Sequence, residues 1–351
     1  MYGLCTILNV FVFCLCFLSN ILAISLFKEF RDTKGKLNIA MQSTFAQFIM
    51  DIVFSFTNVL LRAEIVTVVS STSNYLTFYF VYTNNFDLTF YQNCALVFVY
   101  CVIFFLNFLM TSITVFVRYC FVADIYQLKT KHLVGLIMIA ILLLAILKGS
   151  FCFIGFDPTV DPYLIYHNDL MENYLDDFVN EKSRSVSLRL DWSFFIFVGP
   201  IFVFLTINFV AITVVLIKYK RYMATNGSKF SSQTRKLHQQ FYFILCIQGI
   251  MPSFFQFFPL GLYQISCFFK VPVRSMGSWS VIIATVLPLL NSIVFLALIS
   301  KSRTILKKRY GWLFKFLLTK ENTGYFKNRY YISITQNIIL CLLFFKNTFY
   351  M

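Results

Sequence analysis

Seven long apolar stretches constrain this chain more than any other feature. They run over residues 2–27, 37–61, 92–118, 133–156, 192–217, 241–269 and 276–300. At about 1.5 Å of rise per residue, each forms a helix able to cross a hydrocarbon layer roughly 30 Å thick. The predicted fold class is therefore an all-α membrane protein, a seven-transmembrane helix bundle occupying residues 1–310. A cytoplasmic tail follows over residues 311–351. Composition closes the soluble alternative, because 59% of residues are hydrophobic and only 13% are charged.

Charge sets the expected orientation. The net charge of +15 arises from basic clusters between the apolar runs, where membrane orientation explains it and nucleic acid is not needed. Of the 30 Lys and Arg residues, 23 fall in the segments that a seven-span threading assigns to the inside. This places the N-terminus outside and the C-terminus in the cytoplasm. No basic residue precedes the first run, and Lys28, Arg31, Lys34 and Lys36 follow it, so it reads as a spanning helix rather than a cleaved signal. Lys148 is the only charge in the fourth run and is expected to snorkel outward.

The connections are read as loops. Residues 62–91 form an outer segment whose Leu76–Val81 stretch is too short to cross. Residues 157–191 hold eight of the 15 carboxylates and form an acidic outer lid, most simply a solvated surface. Residues 218–240 form a basic inner loop, so the Asn226-Gly227-Ser228 sequon is expected to carry no glycan. Tyr331–Phe345 is apolar but short for a span and is given no role. The ten cysteines form no C-x-x-C pair and read mainly as packing residues. Cys94, Cys152 and Cys267 lie near outer helix ends, which leaves room for one disulfide of undetermined pairing.

Polar residues inside the spans locate the candidate sites. In the third run Asn93, Tyr100, Phe104, Asn107, Thr111, Thr114 and Arg118 share one helical face. Gln47, Asp51, Ser55 and Asn58 share a face of the second. A carboxylate at mid-membrane must face inward, and Asn20 and Asn291 lie at a similar depth, so Asn20, Asp51 and Asn291 are predicted to form an intramembrane polar network. The sixth run carries Gln248, Pro252, Gln256, Pro259 and Tyr263, with the prolines as a candidate hinge. Tyr100, Phe104, Asn107, Gln256 and Tyr263 are the predicted ligand-binding residues, lining an aromatic pocket for a small, largely apolar molecule. His132, His167 and His238 match no catalytic or metal-binding spacing. No enzyme activity, metal or cofactor is expected.

Several short motifs occur in an order similar to nematode chemoreceptors of the Str type, the serpentine receptor class r group. Phe116-Val117-Arg118-Tyr119 resembles that family's F-x-Y-R-Y, with Val117 where the family has an aromatic. Thr234 to Phe241 followed by Gln248 and Pro252 resembles its sixth helix, and Phe156 to Asp177 its acidic outer loop. Leu287 to Ser292 and Lys301-Ser302-Arg303 resemble its seventh-helix Y-P-x-L-D-P and the Y-R beyond, with Asn291-Ser292 in place of Asp-Pro. The resemblance implies an odorant or pheromone receptor in the plasma membrane of a sensory neuron cilium, acting on a heterotrimeric G protein. It places Arg118, Tyr119, Arg235, Lys236, Lys301 and Arg303 at the G-protein end. The alternative is a small-solute transporter or ligand-gated channel. Against it, the spans show no repeat between halves and Asp51 is the only carboxylate within a span.

The orientation makes a direct prediction for glycosylation mapping in microsomes. A sequon introduced within residues 157–191 is expected to be modified and Asn226 is not; modification of a sequon within residues 301–309 reverses the topology.

Overall fold

The computed structural model of the chain describes residues 2–31, 35, 37–61, 63–69, 76–82, 89–123, 126, 128–154, 184–189, 192–226, 231–269 and 276–319. The chain divides into two compact units, residues 1–302 and 303–351. The spans are α1 (Tyr2–Ser25), α2 (Ile39–Leu61), α3 (Phe90–Val122), α4 (Thr130–Ile154) and α5 (Trp192–Asn226). The sixth span consists of α6 (Ser232–Pro252), a π-helical turn (Ser253–Phe257) and α7 (Phe258–Phe268), and the seventh is α8 (Met276–Leu298). A last helix, α9 (Ser300–Thr319), begins in the first unit and continues into the second. Among the described residues, seven helices are long and apolar enough to cross a membrane, as the sequence predicts. The acidic segment 157–183 and Tyr331–Phe345 lie outside the described residues.

Local chemistry fixes where the helices begin. Asn38 accepts the backbone N–H of Met41 at 2.9 Å and so caps the start of α2. Thr89 and Gln92 form a capping box at the start of α3, the Thr89 backbone N–H donating to Gln92 Oε1 at 2.8 Å. The apolar surfaces of α1 and α4 remain exposed, with Phe11, Leu18, Ile139 and Leu142 pointing away from the protein. In a bilayer those surfaces meet acyl chains. The polar stripes turn inward, where α2 packs on α1, α3 and α8.

Three features depart from the sequence expectation. The outer connections contain an antiparallel sheet of β1 (Ala63–Val69), β2 (Leu76–Tyr82) and β3 (Arg184–Arg189) in that order. Ala63 pairs with Tyr82 and Val69 with Leu76, while β3 joins through Thr77 opposite Arg189 and Tyr82 opposite Arg184. The β1 and β2 runs are rich in β-branched and aromatic residues, too short to span and long enough to pair. The sheet ties the α2–α3 connection to the α4–α5 connection.

The second departure is that much of the expected 218–240 loop is helix, because α5 continues to Asn226 and α6 starts at Ser232. Falling hydropathy marks where a helix leaves the bilayer, not where it ends. Here Tyr219, Tyr222 and Met223 of the extension pack on Tyr119, Cys120 and Ala123. The third concerns Lys148, which is only 3% exposed and does not snorkel outward. Its ammonium lies 3.5 Å above the centre of the Phe105 ring, so an aromatic face on α3 receives the cation. Cys94 and Cys152 are both free thiols and buried, and the Cys267 side chain lies outside the described residues.

The approach of α5 to α6 depends on one glycine. A Cβ at Gly249 would lie 2.8 Å from Ile212 Cγ2 and 3.3 Å from Leu216 Cδ1, and the β-branched Ile212 has little freedom to move. Gly249→Leu is expected to destabilise the bundle by about 1–3 kcal/mol. Gly261→Ala, whose added carbon meets nothing within 4 Å, is expected to be neutral or slightly stabilising. Thermal unfolding of the two purified variants in detergent checks the contrast.

Candidate functional site

The α3 stripe is fully buried and zipped to α2. Its polar members Tyr100, Asn107, Thr111 and Thr114 follow steps of seven, four and three residues, and antiparallel α2 answers with Asn58, Asp51, Gln47 and Ser43 at steps of seven, four and four. The Tyr100 hydroxyl donates to Asn58 Oδ1 at 3.1 Å, and the Asn107 amide donates to Asp51 Oδ1 at 2.6 Å. The Gln47 amide donates to Thr111 Oγ1 at 3.1 Å, and the Thr114 hydroxyl to the Ser43 carbonyl at 3.3 Å. Arg118 closes the ladder by donating from Nη2 to Thr44 Oγ1 at 2.7 Å.

Asp51 is the centre of the polar network. Besides Asn107 it receives the Asn291 amide, 3.3 Å from Oδ2 and 3.5 Å from Oδ1. The carboxyl is thus bound by two amides from α3 and α8. Asn20 does not reach it. The Asn20 amide donates to the Cys16 carbonyl at 2.8 Å and to the Pro288 carbonyl at 3.4 Å, tying α1 to α8 alongside the network. A second α1–α8 link joins the Ser19 and Ser292 hydroxyls at 2.7 Å. The member that sequence reasoning assigned elsewhere is Asn107. It lies on the same helical face as the rest of the α3 stripe, and that face meets α2 at the level of Asp51.

At the inner end Arg118 is 2% exposed. Its Nη1 donates to Gln248 Oε1 on α6 at 2.7 Å, so this one guanidinium bridges α2, α3 and the sixth span. Both partners are neutral oxygens. Tyr119 faces another way: its ring meets Tyr219 edge-on at 6.1 Å, and Tyr219 stacks on Tyr242 at 5.6 Å. These rings join α3, α5 and α6, and neither Tyr219 nor Tyr242 was singled out from the sequence. Val117 is buried with Ile39 and Leu133, where the starts of α2 and α4 leave room for a small side chain. Lys301 is exposed, its ammonium 4.8 Å from the centre of the Phe30 ring. Arg235 and Lys236 lie in the first turn of α6 with side chains outside the described residues, and Arg303 belongs to the second unit.

The predicted ligand residues separate into three places. Tyr100, Phe104 and Tyr263 share one buried cluster with Phe54, Phe105, Leu205 and Ala284. Phe104 packs edge-on to Phe54 at 5.5 Å and to Phe105 at 5.1 Å. Asn107 is committed to Asp51. Gln256 lies in the π-helical turn, between Pro252 and Pro259, in a region where the turn and α7 pack against α8. The Pro259 carbonyl accepts the Ser280 hydroxyl of α8 at 3.2 Å. A π-helical turn flanked by prolines is a place where a helix axis bends.

Against known proteins, the profile of the family described as serpentine type 7TM GPCR chemoreceptor Str matches residues 5–307. The crystal structure of squid rhodopsin superposes with a TM-score of 0.56, covering 89% of this chain and 86% of that chain at 12% sequence identity. At that identity the likeness concerns the fold. A search of curated proteins found no match.

Removing Asn107 leaves the Asp51 carboxyl with Asn291 alone. Asn107→Leu is expected to cost about 1–3 kcal/mol or more, whereas Thr114→Val, which loses one long bond, should cost about 0.6 kcal/mol. Thermal unfolding in detergent distinguishes them, and equal costs would remove Asp51 from the centre of the network.

Proposed function

We propose a chemosensory receptor, proceeding from the premise that the chain belongs to the Str family of serpentine type 7TM GPCR chemoreceptors. The receptor sits in the plasma membrane of a sensory cilium with its N-terminus outside. It binds an odorant or pheromone within the bundle and activates a heterotrimeric G protein at the inner face. It is not an enzyme.

The observation that carries the reading is the double tie of Arg118. A guanidinium held by Thr44 of α2 and Gln248 of α6 fastens the sixth span to the inner core. The same span bends at a π-helical turn closer to the other end of the bundle. A molecule that favours a different bend moves the inner end of α6 and breaks the Arg118–Gln248 bond. It does so only through its unequal affinity for the two states. The basic residues Arg235, Lys236 and Lys301, together with Tyr119, are then offered to the G protein. Asp51 and its amides hold α2, α3 and α8 as the body against which the sixth span moves.

The charged hydrogen bond to Gln248 is worth about 1.5–3 kcal/mol, so its loss should shift the resting balance about tenfold or more. Gln248→Leu is expected to raise basal G-protein activation, and Arg118→Ala to abolish the response to cues with normal delivery to the cell surface. Both are read in a heterologous cell by G-protein activation and surface labelling. Unchanged signalling by Arg118→Ala sinks the assignment, and a cue-evoked current that persists with G proteins blocked replaces it with a channel.

A further inference from the structure

We infer that Gln256 is the recognition group for the cue and that the cue is a small neutral molecule bearing a primary amide or a lactam. This rests on the reading above that the bundle takes a small molecule. Gln256 is 3% exposed, and neither its carbonyl oxygen nor its amide nitrogen has a hydrogen-bond partner among the described residues. Every other buried amide among the described residues leaves at most one end without a partner. Burying a carboxamide with both ends unmet is costly, and two buried hydroxyls of α8, the helix against which the turn packs, are bonded to backbone carbonyls. Ser280 donates to the Pro259 carbonyl and Thr285 to the carbonyl of Ile282.

The chemistry of the side chain selects the ligand. A carboxamide presents an N–H donor and a carbonyl acceptor side by side, and the complement is a group presenting acceptor and donor in the same way. Primary amides and lactams do this while neutral, whereas a trans secondary amide points its N–H and C=O in opposite directions. A ketone satisfies only the donor, and an ionised acid lacks the matching N–H. Of the two buried cations among the described residues, Lys148 lies over the Phe105 ring and Arg118 is engaged by Gln248, which is eight residues or about 12 Å along the helix from Gln256. The same turn reaches the apolar core through its next residue, since Phe257 packs against the core cluster containing Tyr263 and meets Phe202 edge-on at 6.5 Å. The position also explains how binding reaches the inner end. Gln256 belongs to the π-helical turn itself, so a ligand held there acts on the bend directly.

The test uses the full-length receptor in detergent, with a series of lactams and the cycloalkanones and cycloalkanes of matching ring size as probes. Ligand-induced shifts in melting temperature are read for the wild type, Gln256→Leu and Gln256→Ala. At least one lactam is expected to stabilise the wild type and to bind about tenfold or more tightly than its ketone. Both variants should lose that preference while melting no lower than the wild type, because an unmet polar group has been removed. Equal binding of lactam and ketone, or a lactam preference that survives in the variants, overturns the inference and leaves the receptor reading standing. If no probe of any class stabilises the wild type, the inference and the binding of small molecules in the bundle fall together. The wild-type comparison tests the ligand class whether or not the variants fold, and Gln256→Glu, which keeps the length of the side chain and loses its N–H donors, tests the residue as a third variant in which the lactam preference is expected to be lost.

Discussion

The hydrogen-bonded ladder between α2 and α3 is the constraint on which the rest of this bundle depends. Within a bilayer, helices gain little by hiding apolar surface from one another, because lipid is as apolar as leucine. Register must come from elsewhere. Here it comes from Asn58, Asp51, Gln47, Ser43 and Thr44 meeting Tyr100, Asn107, Thr111, Thr114 and Arg118. At about 0.6 kcal/mol per bond the ladder adds only a few kcal/mol to stability. Its larger effect is on specificity, since a slip of one residue turns every member by about 100° and leaves a carboxylate and a guanidinium facing acyl chains. Once α2 and α3 are locked, Asp51 fixes α8 through Asn291, and α8 fixes α1 through Ser292 and the Pro288 carbonyl.

Much of this was legible in the sequence because a bilayer simplifies the code. Length and hydropathy locate spans directly, and a polar residue inside a span has almost nowhere to face except inward. The buried faces of α2 and α3 and the Asp51–Asn291 contact follow from that rule. Which polar residues meet does not. Asn107 was equally compatible with a ligand pocket and with Asp51, since helical periodicity gives a face but not the neighbour opposite. Lys148 shows another limit: snorkelling is the usual resolution for an outer lysine, but an aromatic face on an adjacent helix is an alternative that periodicity cannot see. The three-stranded sheet and the long α5 were missed for a related reason. Hydropathy reports the boundary of the bilayer, and secondary structure does not stop there.

The sixth span stands apart from the ladder in both composition and attachment. Its two prolines each remove a backbone hydrogen bond, and the π-helical turn between them takes up the mismatch. On its inner side it is held by the close approach of Gly249 to Ile212, by Tyr242 on Tyr219, and by the single bond from Arg118 to Gln248. Leu245 adds apolar packing on Val115 and Ile212, and these ties are unlike one another, so they can break in part without unfolding the span. The four other ladder pairs on α3 do not involve it.

The Arg118 contact also decides what kind of motion is open to the molecule. Buried charges are costly when left unmatched, and Arg118 already carries one unpartnered nitrogen, Nε. Losing Gln248 would leave only Thr44 to answer the guanidinium. Such a state is poor as a resting place in a dry core and improves sharply once acceptor oxygens reach the inner end, whether from water or from a protein partner. An arginine held by neutral oxygens rather than by a carboxylate is released more easily, because no second charge is stranded. The geometry therefore favours two discrete arrangements over a continuous bend. The closed one is satisfied within the bundle, and the open one by acceptors that enter from outside it. In the proposed receptor, a ligand at the π-helical turn and a partner at Arg118 would bias the same equilibrium from two levels of one helix.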